Sequence, residues 1–197
     1  MDNLHLFHLI NAGPGLGSVQ RGIAVALAEW AIYLLPPGMA IAWVRGDREA
    51  RRELLQTLLA ALIALGLAQV VSHVWPQPRP FALHLGTQYL AHGDDAGLPS
   101  DHVTVFWSLA LAALGTQRFS VWGFPLLAAG LVVGWARVYL GVHFPFDILG
   151  AFPVALSAAL VAQGLKRPLR PAFDRIASLY DRLVGRAAAK PGPSPKA

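Results

Sequence analysis

Charge is nearly absent from five long segments of this chain, and that absence decides what it can fold into. The apolar stretches cover about residues 22–44, 54–75, 103–117, 121–139 and 148–165. A helix needs ~20 mostly apolar residues to cross the hydrocarbon layer, with a lower limit near ~17. The third and fourth stretches must therefore borrow flanking residues. Only 14% of the 197 residues are charged, where a soluble domain carries roughly 25%. That balance excludes a disordered chain, a coiled coil and a typical soluble enzyme. The expected fold is an all-α polytopic transmembrane helical bundle of about five spans plus short interfacial helices. Pro36-Pro37 is expected to kink or break the first span, and Pro153 to bend the fifth. Met1-Asp2-Asn3 lacks the basic start of a signal peptide.

Three regions follow: residues 1–20 as an outer interfacial segment, 21–166 as the membrane domain, and 167–197 as a cytoplasmic amphipathic helix with a disordered tail. Phe173, Ile176, Ala177, Tyr180, Leu183 and Val184 recur at helical spacing, which reads as a helix lying on the membrane surface or packed on the bundle's end. Basic residues orient the bundle. Of the 16 Lys and Arg, 13 fall in residues 45–52, at Arg118 or beyond Leu165, which places those segments in the cytoplasm. The net charge of +5 is thus a matter of topology and does not indicate nucleic-acid binding. All seven His then lie on the outer side. Trp43, Trp75, Trp107, Trp122 and Trp135 fall near span ends and read as interface anchors.

Three outer clusters share one rim: Pro76-Gln-Pro-Arg79-Pro80-Phe81, Pro99-Ser100-Asp101-His102, and the run from Ala136-Arg137 to His143-Phe-Pro-Phe-Asp147. Two guanidiniums can grip a phosphoryl group bidentately. Ser100 and the amides opening the third span add donors. His102 and His143 can supply a nucleophile and a general acid, since an ordinary imidazole titrates close to neutrality. If the fifth helix starts near Phe144-Pro145, Asp147 lies one turn from His143 and can hold one of its ring nitrogens. There is no Cys, so disulfides, thiolate zinc sites and cysteine nucleophiles are excluded. His84, His92, Asp94 and Asp95 have no metal-ligand spacing, and their loop reads as one that shapes substrate entry. No metal and no cofactor are expected. Glu29 sits mid-span, where an ionisable group is a functional candidate or a paired or protonated one.

The order Arg-Pro, Pro-Ser-X-His, Arg-X5-His-X3-Asp resembles the three-part signature of the type 2 phosphatidic-acid phosphatase superfamily. Within it, the clusters look most like the bacitracin-resistance type of undecaprenyl-diphosphate phosphatase. The resemblance implies that His143 is the nucleophile, forming a phosphohistidine, that Asp147 orients it, and that His102 protonates the leaving oxygen and later activates water. Arg79, Arg137 and Ser100 would hold the phosphoryl oxygens, with Pro80 beside them. It implies a polyprenyl diphosphate lipid as substrate and a bacterial inner membrane with the site facing outward. Phosphatidate, phosphatidylglycerophosphate or a lipid A phosphate is the alternative substrate, and a non-catalytic lipid-binding protein the rival class. The chain departs from the signature at Ser72, where the superfamily has Lys, at Asp101 for Gly, and at Ala136 for Ser. Asp101 is expected to turn away from the phosphate, and His73 is a candidate to replace the missing Lys. The sequence does not specify an oligomeric state.

Overall fold

The computed structural model describes residues 2–184, and the proposed tail from Lys190 lies outside them. Six helices follow one another, with no strand among the described residues: α1 (Asn3–Ile10), α2 (Ser18–Arg45), α3 (Arg48–Val74), α4 (Asp101–Leu114), α5 (Gly123–Tyr139) and α6 (Pro145–Leu183). Four of the helical segments are long and apolar enough to cross a membrane, and the chain is a multi-pass membrane protein. The 14-residue α4 would measure only ~21 Å. It can be short because α3, α5 and α6 all pack around it and its first turn stops beneath a cap of loops.

Packing follows the membrane rule in which small residues face neighbouring helices and large ones face lipid. α3 buries Ala60, Ala61, Ala64 and Ala68, and α6 answers with Ala151, Ala155, Ala158 and Ala162. The two helices make the most extensive contact in the bundle, while Leu62, Val70, Leu149 and Leu160 point outward. Trp75, Trp122 and Trp135 are exposed as interface anchors would be. Trp107 is a core residue instead: it is 7% exposed and donates its indole N–H to the Leu127 carbonyl at 3.0 Å. Its place on the inner face of the central helix overrides its position near a span end.

α2 is not broken at its proline pair. Its backbone changes pitch upstream, through a π turn at Ala26–Trp30 and a 3₁₀ turn at Ala31–Leu34, before α-helix resumes at Leu35. Pro36 and Pro37 lack amide donors and crowd the carbonyls four residues back, so the irregularity precedes them.

α6 runs for 39 residues, straight through Pro153, Pro168 and Pro171. At 1.5 Å per residue it spans ~58 Å, about twice the hydrocarbon thickness. The segment read as a helix lying on the membrane surface or packed on the bundle's end is its continuation, and of those two places it takes the second. Ion pairs hold it to the start of α3: Asp181 meets Arg51 at 2.6 Å and Arg48 at 3.4 Å, and Asp174 meets Arg52. Arg51 is 3% exposed and also lies over the Tyr180 ring at 4.5 Å. Replacing Asp181 with Ala strands a buried guanidinium, at an expected cost of about 2–4 kcal/mol. The melting temperature in detergent should fall, while any activity seated at the other end of the bundle stays at the wild-type level.

Candidate active site

The opposite end of the bundle is closed by three segments stitched together. The Asn11 side chain donates to Thr87 and Tyr139 carbonyls and accepts from the Thr87 amide. The Ala12 amide reaches the Tyr139 carbonyl, and the Tyr89 amide the Leu140 carbonyl. Phe7 of α1 is fully buried and packs edge-on against Phe144, ring centres 5.2 Å apart. The turn out of α5 passes through Gly141 at φ +78°, a backbone state that costs glycine nothing. These ties set His143 at the mouth of α6.

His143 is 1% exposed. Arg79 Nη1 lies beside the ring, 3.0 Å from Nε2 and 3.5 Å from Nδ1, and Nδ1 is 3.3 Å from Asp147 Oδ2. Because a carboxylate accepts, Nδ1 carries the proton, which points at Asp147, and Nε2 is left with the lone pair. Phe144 caps α6, Pro145 follows in the first turn, and Asp147 Oδ2 also accepts the Phe144 amide at 2.8 Å. Helix capping and imidazole orientation thus use one oxygen. Burial, then the nearby Arg137 and Arg79, hold the His143 pKa well below its usual value. The ring stays neutral, and so nucleophilic, through the pH range in which free histidine titrates.

Arg79 is 4% exposed and reaches the Val142 carbonyl at 3.0 Å, the Asp95 carbonyl at 3.1 Å and the Asp95 carboxylate at 3.0 Å. Pro80 beside it is fully buried and opens a short 3₁₀ turn at Phe81–Leu83. Gly97 lets the loop pass close by, since an added Cβ would sit 3.0 Å from Asp147 Oδ2. Arg137, in the last turn of α5, donates to the Ala28 carbonyl in the π turn of α2 at 3.0 Å. Its Nε is buried with no partner among the described residues, as is Ser100 Oγ at the N-cap of α4. Unpaired buried donors beside first-turn amides suit phosphoryl oxygens. His102 follows in that first turn, in the same electrostatic neighbourhood as Arg79, Arg137 and His143.

The structure therefore brings His143, Asp147, His102, Arg79, Arg137, Ser100 and Pro80 to one end of the bundle. Asp101 turns toward α3, where Gln69 meets it at 3.4 Å. Ser72 donates to the Leu98 carbonyl at 2.9 Å and anchors the loop, and His73 is exposed at the end of α3. Glu29 lies in the π turn of α2, within electrostatic range of Arg137. The loop assigned to substrate entry adds two groups to the site itself: His92 Nε2 is 2.8 Å from Arg137 NH2, and Asp95 pairs with Arg79. Their irregular spacing carries no signal, and only the crowding of His and Asp in the one long outer loop hints at them. Among the described residues no three His, Asp or Glu are grouped to hold a metal ion.

Helices that span a membrane and present two buried guanidiniums, a carboxylate-held imidazole and a helix N-terminus at one end define an integral membrane phosphatase. The chain belongs to the PAP2 superfamily, whose family model matches residues 53–167. It is 33% identical to the putative undecaprenyl-diphosphatase YbjG of Escherichia coli, over 90% of each chain. To the undecaprenyl-diphosphatase BcrC of Bacillus subtilis it is 29% identical, over 96% of this chain and 97% of the other. Among solved structures, Aquifex aeolicus LpxE shares the fold with a TM-score of 0.67 at 20% identity, covering 82% of this chain and 94% of that one.

Proposed function

We propose that the protein hydrolyses undecaprenyl diphosphate to undecaprenyl phosphate and inorganic phosphate, recycling the carrier lipid for cell-wall synthesis. The observation that carries the mechanism is the His143 geometry: Nδ1 held by Asp147, which leaves the Nε2 lone pair for attack, with the Arg79 guanidinium beside the ring. In the first step Nε2 attacks the terminal phosphorus and the bond to the bridging oxygen breaks. His102 gives that oxygen its proton, and the lipid monophosphate leaves. In the second step His102 takes a proton from water, which attacks the phosphohistidine and frees phosphate. Arg79, Arg137, Ser100 and the α4 amides hold the phosphoryl oxygens as charge shifts among them.

The names carried by the bacterial relatives support the substrate. The basic residues at 45–52, Arg118 and beyond Leu165 support a bacterial inner membrane with the site on its outer face. Residues 21–166 then form the membrane phosphatase domain, and the lipid chain stays in the bilayer while its diphosphate reaches the rim. The test is phosphate release by detergent-purified protein in EDTA from undecaprenyl diphosphate, phosphatidate, phosphatidylglycerophosphate and a lipid A phosphate. The diphosphate is expected to give the highest kcat/KM. A higher value for any monophosphate lipid would overturn the substrate assignment and leave the chemistry in place.

A further inference from the structure

The two guanidiniums of the site are bridged by a short chain of loop groups. Arg137 NH2 meets His92 Nε2 at 2.8 Å, His92 Nδ1 lies 3.5 Å from Asp95 Oδ1, and that same oxygen is 3.0 Å from Arg79 Nε. His92 Nδ1 also reaches the Gly93 carbonyl at 3.2 Å, and its ring centre is 6.2 Å from that of His143. Since Arg137 can only donate, Nε2 is the acceptor and Nδ1 holds the proton. His92 thus rests on Arg137 as a neutral acceptor, in the role a phosphoryl oxygen would play. Among the described residues no carboxylate pairs with Arg137 within 4.0 Å. Its cation is left for an anion that the chain itself does not supply.

We infer that His92 is a substrate-binding residue: it yields Arg137 to an incoming phosphate and then binds that phosphate itself, as a third cationic donor between the two arginines. The inference rests on the phosphatase reading above. A diphosphate brings more negative charge than two guanidiniums neutralise, and Asp95 already offsets part of Arg79. The groups facing the ring are Arg79, Arg137, Asp95, His102 and His143. In the resting site burial, then Arg79 and Arg137, lower the His92 pKa. A bound phosphate reverses the sign of that surrounding charge, so the imidazole takes a proton from water and donates from both nitrogens. His92 is the side chain suited to this exchange. It is 23% exposed and sits on a loop, whereas Arg79 and Arg137 are locked by carbonyls.

The test compares wild type with His92→Ala and His92→Lys in EDTA. It measures phosphate release from a prenyl diphosphate and, separately, calorimetric binding of inorganic pyrophosphate. His92→Ala is expected to raise KM and the pyrophosphate Kd about tenfold while kcat changes by no more than about threefold. His92→Lys, which restores a cation on a flexible stem, should recover most of that loss. Unchanged KM and Kd would overturn the inference. So would tighter binding in His92→Ala, which would make His92 a blocker alone, or an equal loss in His92→Lys, which would make it structural. If wild type released no phosphate from any lipid diphosphate, the phosphatase reading would fall, and pyrophosphate binding would still decide the role of His92.

Discussion

His143→Ala should abolish phosphate release, lowering kcat by about four orders of magnitude or more. No other group near the reacting phosphorus is placed to replace it. His102 lies in the first turn of α4, where the proposed mechanism uses it for proton transfer, and His92 rests on Arg137. The fold should survive, because the cap around His143 is held by other bonds: the Asn11 side chain to the Thr87 carbonyl, the Tyr89 amide to the Leu140 carbonyl, and the Arg79 guanidinium to the Val142 carbonyl. A lipid labelled in its terminal phosphate should leave an acid-labile, alkali-stable label on wild-type protein after rapid quenching, and none on the variant. Residual turnover above about 1% of wild type would exclude His143 as nucleophile, since direct attack by water loses the nucleophile's whole contribution.

The second large effect is expected at Asp147. Its Oδ2 accepts both the Phe144 amide and the His143 Nδ1 proton. In Asp147→Asn the side-chain carbonyl keeps the helix cap, but the charge that fixes the tautomer and steadies a phosphorylated, cationic imidazole is gone. By analogy with other carboxylate–histidine pairs, kcat should drop by up to about 10⁴-fold with KM near its wild-type value. Asp147→Ala removes the cap as well and should add a loss of thermal stability of about 1 kcal/mol. A normal kcat in Asp147→Asn, measured by phosphate release at saturating lipid, would restrict the carboxylate to a capping role.

How much of this was legible in the sequence depends on whether a residue's task is local. The spans were readable because lipid demands runs of apolar side chains, and the α6 start was readable because Phe144-Pro145 and Asp147 are a capping pattern in themselves. The continuity of α6 was not. Pro168, Pro171 and a shift to polar composition after Leu165 look like an ending, and the ion-pair partners that hold the far end of the helix, Arg48, Arg51 and Arg52, lie more than a hundred residues earlier. Trp107 was misplaced for a similar reason: position along a span says where a ring lies in depth but not which way it faces. His92 and Asp95 reach the site through tertiary contacts with Arg137 and Arg79, and no spacing rule marks them.

The looseness of α2 has a consequence for how such enzymes diversify. Only 11% of its apolar window is buried, it lies wholly outside the 53–167 segment matched by the family model, and its contacts with the reaction centre are confined to one stretch, where the Ala28 carbonyl holds Arg137 and Ala24 and Ala28 pack beside Ala136 and Leu140. The chemistry and the side wall are therefore mechanically separable. Substitutions along the lipid-facing side of this helix should reshape the bilayer-facing approach for differently shaped lipids while leaving the groups that hold the phosphate in place.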